Sequence, residues 1–359
     1  MTPKLTTSIR SSRGAPISER TVADGLPGTR IPRRYVNADG VSLIGELPRS
    51  RVFDTYWRFA AARQSAYQRR LLGEVPPWTT DATIARYRFT NCYRATDRVS
   101  QFLIRHVAYC GPREPAQLVF RILLFKFFNR ISTWGALERE FGTISLASFE
   151  PRSWAEYLLE LSLTRPIYSA AYVIPQPAMG AARKASNHLL LLARMVEENL
   201  SDKLLSCGSM KEAFDLLRSY SGIGDFLAYQ FVIDLNYSTV LDFSEMDFVV
   251  AGPGARDGIA KCFGAAAVRN ASQIIRYMSE SQDEHFARLG LRFDRLGGKR
   301  PLTLVDCQNL FCETDKYTRA THPEVNGLSR RTRIKQLFRP TGSIPEPWFP
   351  PKWGVNARK

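Results

Sequence analysis

Apolar positions recur at helical spacing through most of the chain from residue 54 to residue 316, which predicts a mainly α-helical protein. Tyr56, Trp57, Phe59, Ala60, Tyr67 and Leu71 share one helical face, and Glu74-Val75-Pro76-Pro77-Trp78 ends the run. Thr80-Asp81 offers an N-cap, and Val99, Phe102, Leu103, Ile104 and Val107 carry the period from Asp97 to Tyr109, where Cys110-Gly111-Pro112 stops it. Glu114-Pro115 opens a strongly apolar helix over Ala116 to Asn129, and Ser132 or Thr133 caps another from Trp134. Further helices are expected at Ser153–Leu163, Ala181–Glu198, Met210–Arg218, Phe226–Leu235, Gly258–Cys262, Ala271–Ser281 and Thr303–Lys316. Only Tyr168–Ile174 and Ser238–Phe243 read as strands.

The pattern also divides the chain. Residues 1 to 50 are rich in Pro, Gly, Ser, Thr and Arg without apolar periodicity, and are expected to form a flexible basic arm. A helical domain follows over 51–323, then a basic, Pro-rich tail over 324–359, also expected to be flexible.

Composition narrows the function. The 359 residues are 44% hydrophobic, with a mean hydropathy of −0.23, which excludes a largely disordered chain. No apolar run approaches the ~18–20 residues of a membrane span, so a soluble protein is expected; it is taken to be cytoplasmic and a monomer. Six scattered cysteines without a CxxC pair fit a reducing compartment. Lys and Arg total 50 against 34 Asp and Glu, a formal net charge of +16 that points to a polyanionic partner.

The local segment richest in chemistry is Tyr220-Ser221-Gly222-Ile223-Gly224-Asp225-Phe226, between the helices expected at Met210–Arg218 and Phe226–Leu235. A Gly-hydrophobic-Gly turn between two helices makes a helix-hairpin-helix over 210–235. Gly222 and Gly224 let the backbone approach a phosphate, which the N–H groups opening the second helix can bind. The same residues also suit an ordinary tight αα-turn. Gly252-Pro253-Gly254 is similarly open to two readings, a second phosphate contact or a bare turn into a helix.

About twenty residues beyond the hairpin stands Glu245-Met246-Asp247-Phe248. This arrangement resembles the helix-hairpin-helix DNA glycosylase superfamily, and the resemblance implies a two-lobed helical fold in which Asp247 is the catalytic carboxylate facing a sugar. The alternative for Asp247 is an N-cap. The position where strand-cleaving members carry a lysine is Phe226 here, and their four-cysteine cluster is absent, since Cys307 and Cys312 stand as a lone pair.

A longer resemblance rests on Phe89-Thr90-Asn91-Cys92-Tyr93-Arg94-Ala95-Thr96-Asp97-Arg98-Val99-Ser100-Gln101, Phe125-Lys126-Phe127-Phe128-Asn129, Gly252-Pro253-Gly254-Ala255, Asp306-Cys307-Gln308-Asn309-Leu310-Phe311-Cys312-Glu313 and Lys316-Tyr317. Together these are similar to the 5-hydroxymethyluracil DNA kinase helical-domain family, grouped with thymine pyrophosphorylase-like proteins of DNA base hypermodification. The residue types fit a pocket for a base and its substituent. Asn91, Gln101, Gln308 and Asn309 can give and take hydrogen bonds at a pyrimidine edge, and Tyr93 offers a stacking face. Arg94, Arg98, Lys126 and Lys316 can hold phosphate, with Asp97 and Glu313 among them. Asn91, Arg94 and Asp97 could instead form a buried structural network.

No G-x-x-x-x-G-K-[ST] motif occurs, nor a zinc deaminase pattern, and His106, His188, His285 and His322 lack metal-like spacing. Neither a cofactor nor a metal is expected; His188 and His322 are minor site candidates. The expectation is a monofunctional DNA glycosylase acting on DNA with modified pyrimidines and leaving an abasic site. The alternatives are a group transfer onto a hydroxymethyl or pyrophosphorylated pyrimidine, and a non-catalytic DNA-binding module.

Overall fold

Long helices with buried apolar stripes dominate the architecture. The computed structural model describes residues 47–171, 173–340 and 344–356, so the expected arm over residues 1 to 50 falls almost wholly outside the described residues. The helices are α1 (Arg51–Leu71), α2 (Ala82–Arg86), α3 (Arg98–Phe102), α4 (Pro115–Phe128), α5 (Ile131–Phe141), α6 (Pro151–Thr164) and α7 (Lys184–Glu197). They continue as α8 (Leu200–Leu205), α9 (Met210–Arg218), α10 (Asp225–Asn236), α11 (Pro253–Phe263), α12 (Ala271–Glu280), α13 (Gln282–Arg288) and α14 (Leu304–Thr321). Helix α3 runs directly into a π-helical turn, Leu103–Ala108.

Among the described residues there is no strand, only isolated bridges between Tyr87 and Leu337 and between Leu296 and Arg300. This corrects both expected strands. Over their described residues both make other bonds instead of a ladder; in the first, the Ser169 N–H donates to Phe128 O at 2.9 Å and Arg130 donates to Tyr168 O at 3.4 Å. Asn236 bonds both the N–H (2.9 Å) and the carbonyl (3.0 Å) of Phe243. Thr133 donates to the Ile167 carbonyl at 2.7 Å, just before the other loop. That bond also explains why neither Ser132 nor Thr133 caps α5: the Thr133 hydroxyl is spent on Ile167 and the Ser132 hydroxyl accepts from Arg130. The helix begins earlier, with Arg130 at its N-cap position.

Two helices are apolar nearly all round and form the centre, as expected for elements with no solvent face. In α4 every residue from Leu118 to Phe128 is buried, and in α10 every residue from Leu227 to Asn236. They meet where Phe127 packs edge-on against Phe231, with ring centroids 5.7 Å apart. On the other side α1, α11 and α14 pack through Tyr56 on Phe311 (4.8 Å) and Phe53 on Phe263 (5.4 Å). Glycines let α11 and α14 approach closely. A Cβ on Gly258 would lie 2.1 Å from the Phe311 carbonyl oxygen, and one on Gly254 would lie 2.3 Å from Cys312 Sγ.

The C-terminal end of the π-helical turn is closed by Arg121, a fully buried guanidinium on α4. It donates to the carbonyls of His106, Val107, Cys110 and Ile144 at 2.7–3.2 Å, satisfying groups that the turn leaves orphaned. Gly111, with φ +86°, is required beside it, since a Cβ there would lie 2.7 Å from the Arg121 guanidinium.

The tail departs from the expected flexible end. Phe338 N–H donates to Arg86 O (2.9 Å) and Arg88 N–H to Gln336 O (3.0 Å). Phe349 is buried, and the Trp353 ring packs edge-on against Tyr237 at 5.4 Å. Aromatic burial holds this Pro-rich segment to the core although it has no helical period to announce it.

Candidate functional site

At the C-terminal end of α10 lies a buried ion cluster. Asp234, 1% exposed, accepts two hydrogen bonds from the Arg94 guanidinium at 2.8 and 2.9 Å, while Lys126 Nζ lies 2.8 Å from its other face. Burial pushes the Asp234 carboxyl up, but Arg94 and Lys126 outweigh it and hold the group below the ordinary carboxylate value. Lys126 also donates to Asn129 Oδ1 at 3.0 Å; Asn129 ends α4 in a left-handed conformation (φ 48°) that Asn tolerates better than most residues. The Phe125–Asn129 motif is thereby accounted for as core and helix end. Gln230 accepts from Arg94 Nε at 3.2 Å.

Asp306 ties this cluster to α14. It completes a capping box with Thr303 and accepts from the Arg94 backbone N–H at 2.8 Å. Burial, then the nearby Glu245 charge, pushes the Asp306 carboxyl up to about 6. Glu245 is buried as well, bound by Arg300 (2.8 Å) and Thr303 (3.0 Å). Among the described residues, Glu245 Oε1 and the Tyr229 and Tyr237 hydroxyls lack a hydrogen-bond partner. Each such group costs about 1–3 kcal/mol unless a water or ligand meets it.

A second cluster joins the Thr90–Asn91 loop to the same face of α14, one and two turns beyond Asp306. Asp97 accepts from the Asn91 N–H at 2.9 Å, Asn91 Nδ2 donates to Thr96 O at 2.9 Å, and Arg63 bonds the Asn91 amide oxygen. Glu313 accepts from the Thr90 N–H at 3.0 Å and from Lys316 at 2.9 Å, and Asn309 donates to Thr90 Oγ1 at 3.0 Å. Burial pushes the Asp97 carboxyl up to about 7, with the Asn91 N–H and Arg63 acting in the opposite direction. Tyr93 is buried, its hydroxyl donating to Arg300 O at 2.8 Å. Gln101 exchanges two hydrogen bonds with the Trp348 backbone, at 2.8 and 3.1 Å. Of the expected pocket residues these are committed to internal bonds, whereas Arg98 is exposed.

Gln308 behaves differently. It is 6% exposed, yet its amide has no hydrogen bond among the described residues. Its Nε2 lies 3.5 Å from where a Cβ on Gly252 would stand, and the Phe226 ring lies 2.9 Å from the same point. Gly224 and Gly252 are the N-cap residues of α10 and α11, both without a side-chain cap, so contact between Phe226 and Gly252 brings the two positive helix ends together beside Gln308. Gly222, with φ +77°, requires glycine. Nothing lies within 4 Å of a Cβ on Gly224, so that end is open; Gly254, by contrast, packs on Cys312.

Asp247 is exposed in a turn whose N–H donates to Ser244 O (3.1 Å), and its own carbonyl accepts from Arg276. Nor does it cap a helix: the next, α11, begins at Pro253. The two minor histidine candidates are placed structurally. His188 is buried, bonds the Tyr168 hydroxyl and Pro175 O at 2.8 Å each, and is stacked on Phe127; His322 packs beside Thr55 and Thr321. Sequence reasoning missed Arg121, Arg300 and Glu245. Only Glu245, beside the singled-out Asp247, carried any signal; a lone basic residue inside an apolar or loop segment announces nothing about what it will bind.

Residues 50–327 match the model of the family described as 5-hmdU DNA kinase, helical domain. The chain belongs to the 5-hmdU DNA kinase helical-domain family. It is 25% identical over 293 residues to the 5-hmdU DNA kinase of Bacillus phage SP10, covering 74% of this chain and 45% of that protein. The chain thus spans less than half the length of this curated relative, and no solved structure matches.

Membership in the 5-hmdU DNA kinase helical-domain family corrects the expectation of a base-excising glycosylase. The relative is named for group transfer, and Asp247 sits in an exposed turn with its side chain outside both ion clusters. Group transfer, the alternative reading of the sequence, fits better. No helix among the described residues is long and apolar enough to cross a membrane.

Proposed function

We propose that this chain binds DNA carrying a 5-hydroxymethylpyrimidine and presents it for group transfer onto the 5-substituent, as part of DNA base hypermodification. The observation that carries this reading is the family match, which extends from the start of α1 past the end of α14 and takes in both ion clusters and Gln308. These 359 residues hold no P-loop, so the chain's share is recognition of the DNA substrate.

Within that reading, the uncapped N-termini of α10 and α11 bind backbone phosphate through their N–H groups, with Gly222, Gly224 and Gly252 allowing close approach. Gln308, whose amide makes no hydrogen bond among the described residues, lies beside them and reads the pyrimidine edge or its 5-hydroxymethyl group. Arg98 and the basic tail add salt-sensitive phosphate affinity. Arg94, Lys126, Asp97, Asn309, Glu313 and Lys316 hold the walls of the site in position.

The test is a binding titration at fixed salt with duplexes containing thymine or 5-hydroxymethyluracil at one position. Tighter binding of the hydroxymethyl duplex is expected, and Gln308→Leu should remove about 1–3 kcal/mol of that discrimination. Equal affinity of the wild-type chain for the two duplexes would overturn the reading.

A further inference from the structure

An open cleft lies away from Gln308, where the C-terminal segment crosses the start of the loop after α10. It has a volume of about 370 Å³ and is lined by Tyr109, Arg113, Thr239, Trp348, Pro351 and Lys352. That volume falls within the ~300–1,000 Å³ of small-molecule sites. Half of the lining comes from residues 348–352, beyond the matched segment 50–327, and the cleft lies where that segment meets the family-matched one.

Its walls are fixed by bonds made elsewhere. The Trp348 backbone is held by Gln101 at 2.8 and 3.1 Å, and the Tyr109 ring meets Trp348 edge-on at 5.0 Å. Lys352 Nζ donates to Ser238 O (3.0 Å) and Leu241 O and lies 3.4 Å from Asp242, so its charge is compensated. Arg113 has no such compensation: it is exposed at the mouth and makes no ion pair or hydrogen bond among the described residues. An aromatic corner beside one uncompensated guanidinium suits a flat ring joined to an anion.

We propose that this cleft binds a nucleotide, its base against Trp348 and Tyr109 and its phosphate at Arg113. The nucleotide comes either from the DNA strand or from the free pool; the chemistry recognised is the same. The full-length chain is titrated with thymidine monophosphate, with a short single-stranded oligonucleotide, and with thymidine as the phosphate-free control, following tryptophan emission. The Trp348→Phe variant isolates the signal of that ring.

The monophosphate or the oligonucleotide should quench the wild-type emission but not that of Trp348→Phe. Arg113→Ala, at an exposed position that leaves folding intact, should weaken binding by about tenfold, and thymidine should bind similarly weakly. Saturation by the monophosphate identifies a free nucleotide; quenching by the oligonucleotide alone identifies a nucleotide of the strand. No Trp348-dependent change with either ligand, or unchanged affinity in Arg113→Ala, would sink the proposal. Neither result bears on the Gln308 discrimination experiment, so the two readings fail separately.

Discussion

The two ends of α10 solve opposite problems. At its C-terminal end the buried Asp234 is clamped between Arg94 and Lys126. At its N-terminal end the Gly222-Ile223-Gly224 turn faces outward, with backbone dipoles and no side-chain cap. The charged residues of the motifs therefore act mainly as architecture. On the proposed reading, phosphate is met at the other end by helix N–H groups, with exposed arginines such as Arg98 adding to them.

The sharpest way to break this contrast is to neutralise the clamped end. Asp234→Asn keeps the shape but leaves Arg94 and Lys126 buried without a carboxylate, and should cost about 3–5 kcal/mol in urea unfolding. A loss below 1 kcal/mol would mean that water reaches the cluster. Next comes the difference between glycines that are packed and glycines that are open. Gly258→Ala would drive a methyl into the Phe311 carbonyl and should cost about 1–3 kcal/mol.

An intermediate effect concerns pH. The folded protein holds the Asp97 proton up to about pH 7, more tightly than the unfolded chain does. Its contribution to stability is therefore full below the ordinary carboxylate range and falls away as pH rises toward 7. His188 and His285 act in the opposite sense, since burial lowers each to about 4 and stability is lost as pH falls from about 6.5 toward that value. Comparing urea midpoints across this window in the wild type and in Asp97→Asn should show the falling component shrink and end nearer pH 6, where Asp306 supplies the remainder. The same slope in both proteins would assign it to another group.

The smallest stability effect belongs to the open end. Gly224→Asp places a good N-cap at a position with free space, so stability should change by less than about 0.5 kcal/mol or rise slightly. DNA affinity should nevertheless fall, because the new carboxylate occupies the place of a phosphate. Unchanged DNA affinity would remove the helix end from the interface. Asp247→Asn should leave both stability and DNA affinity as they are.

Helices were legible because their apolar stripes are long: α9 runs over the expected Met210–Arg218, and α1, α4 and α12 lie close to their expected spans. Short helices such as α8 and α13 gave too few periods to register, and the two strand-like runs lacked only a partner. Motif spacing brought out Arg94, Lys126, Asp306 and Gln308, but residue type could not separate a wall from a reader. Asp234, the carboxylate that Arg94 clamps, is 140 residues away in sequence, and only packing reveals that the Arg94 fork is already filled while the Gln308 amide makes no hydrogen bond among the described residues.

The anchored C-terminal segment has a practical consequence for where the molecule can be cut. The homologous unit ends at residue 327, yet Gln101, Tyr237 and Arg300 within it are covered by Trp348 and Trp353 from outside it. A fragment trimmed to the homologous unit would bare those surfaces to water and present fresh sites to proteases and to other copies of itself. The inherited unit and the unit that folds therefore have different ends.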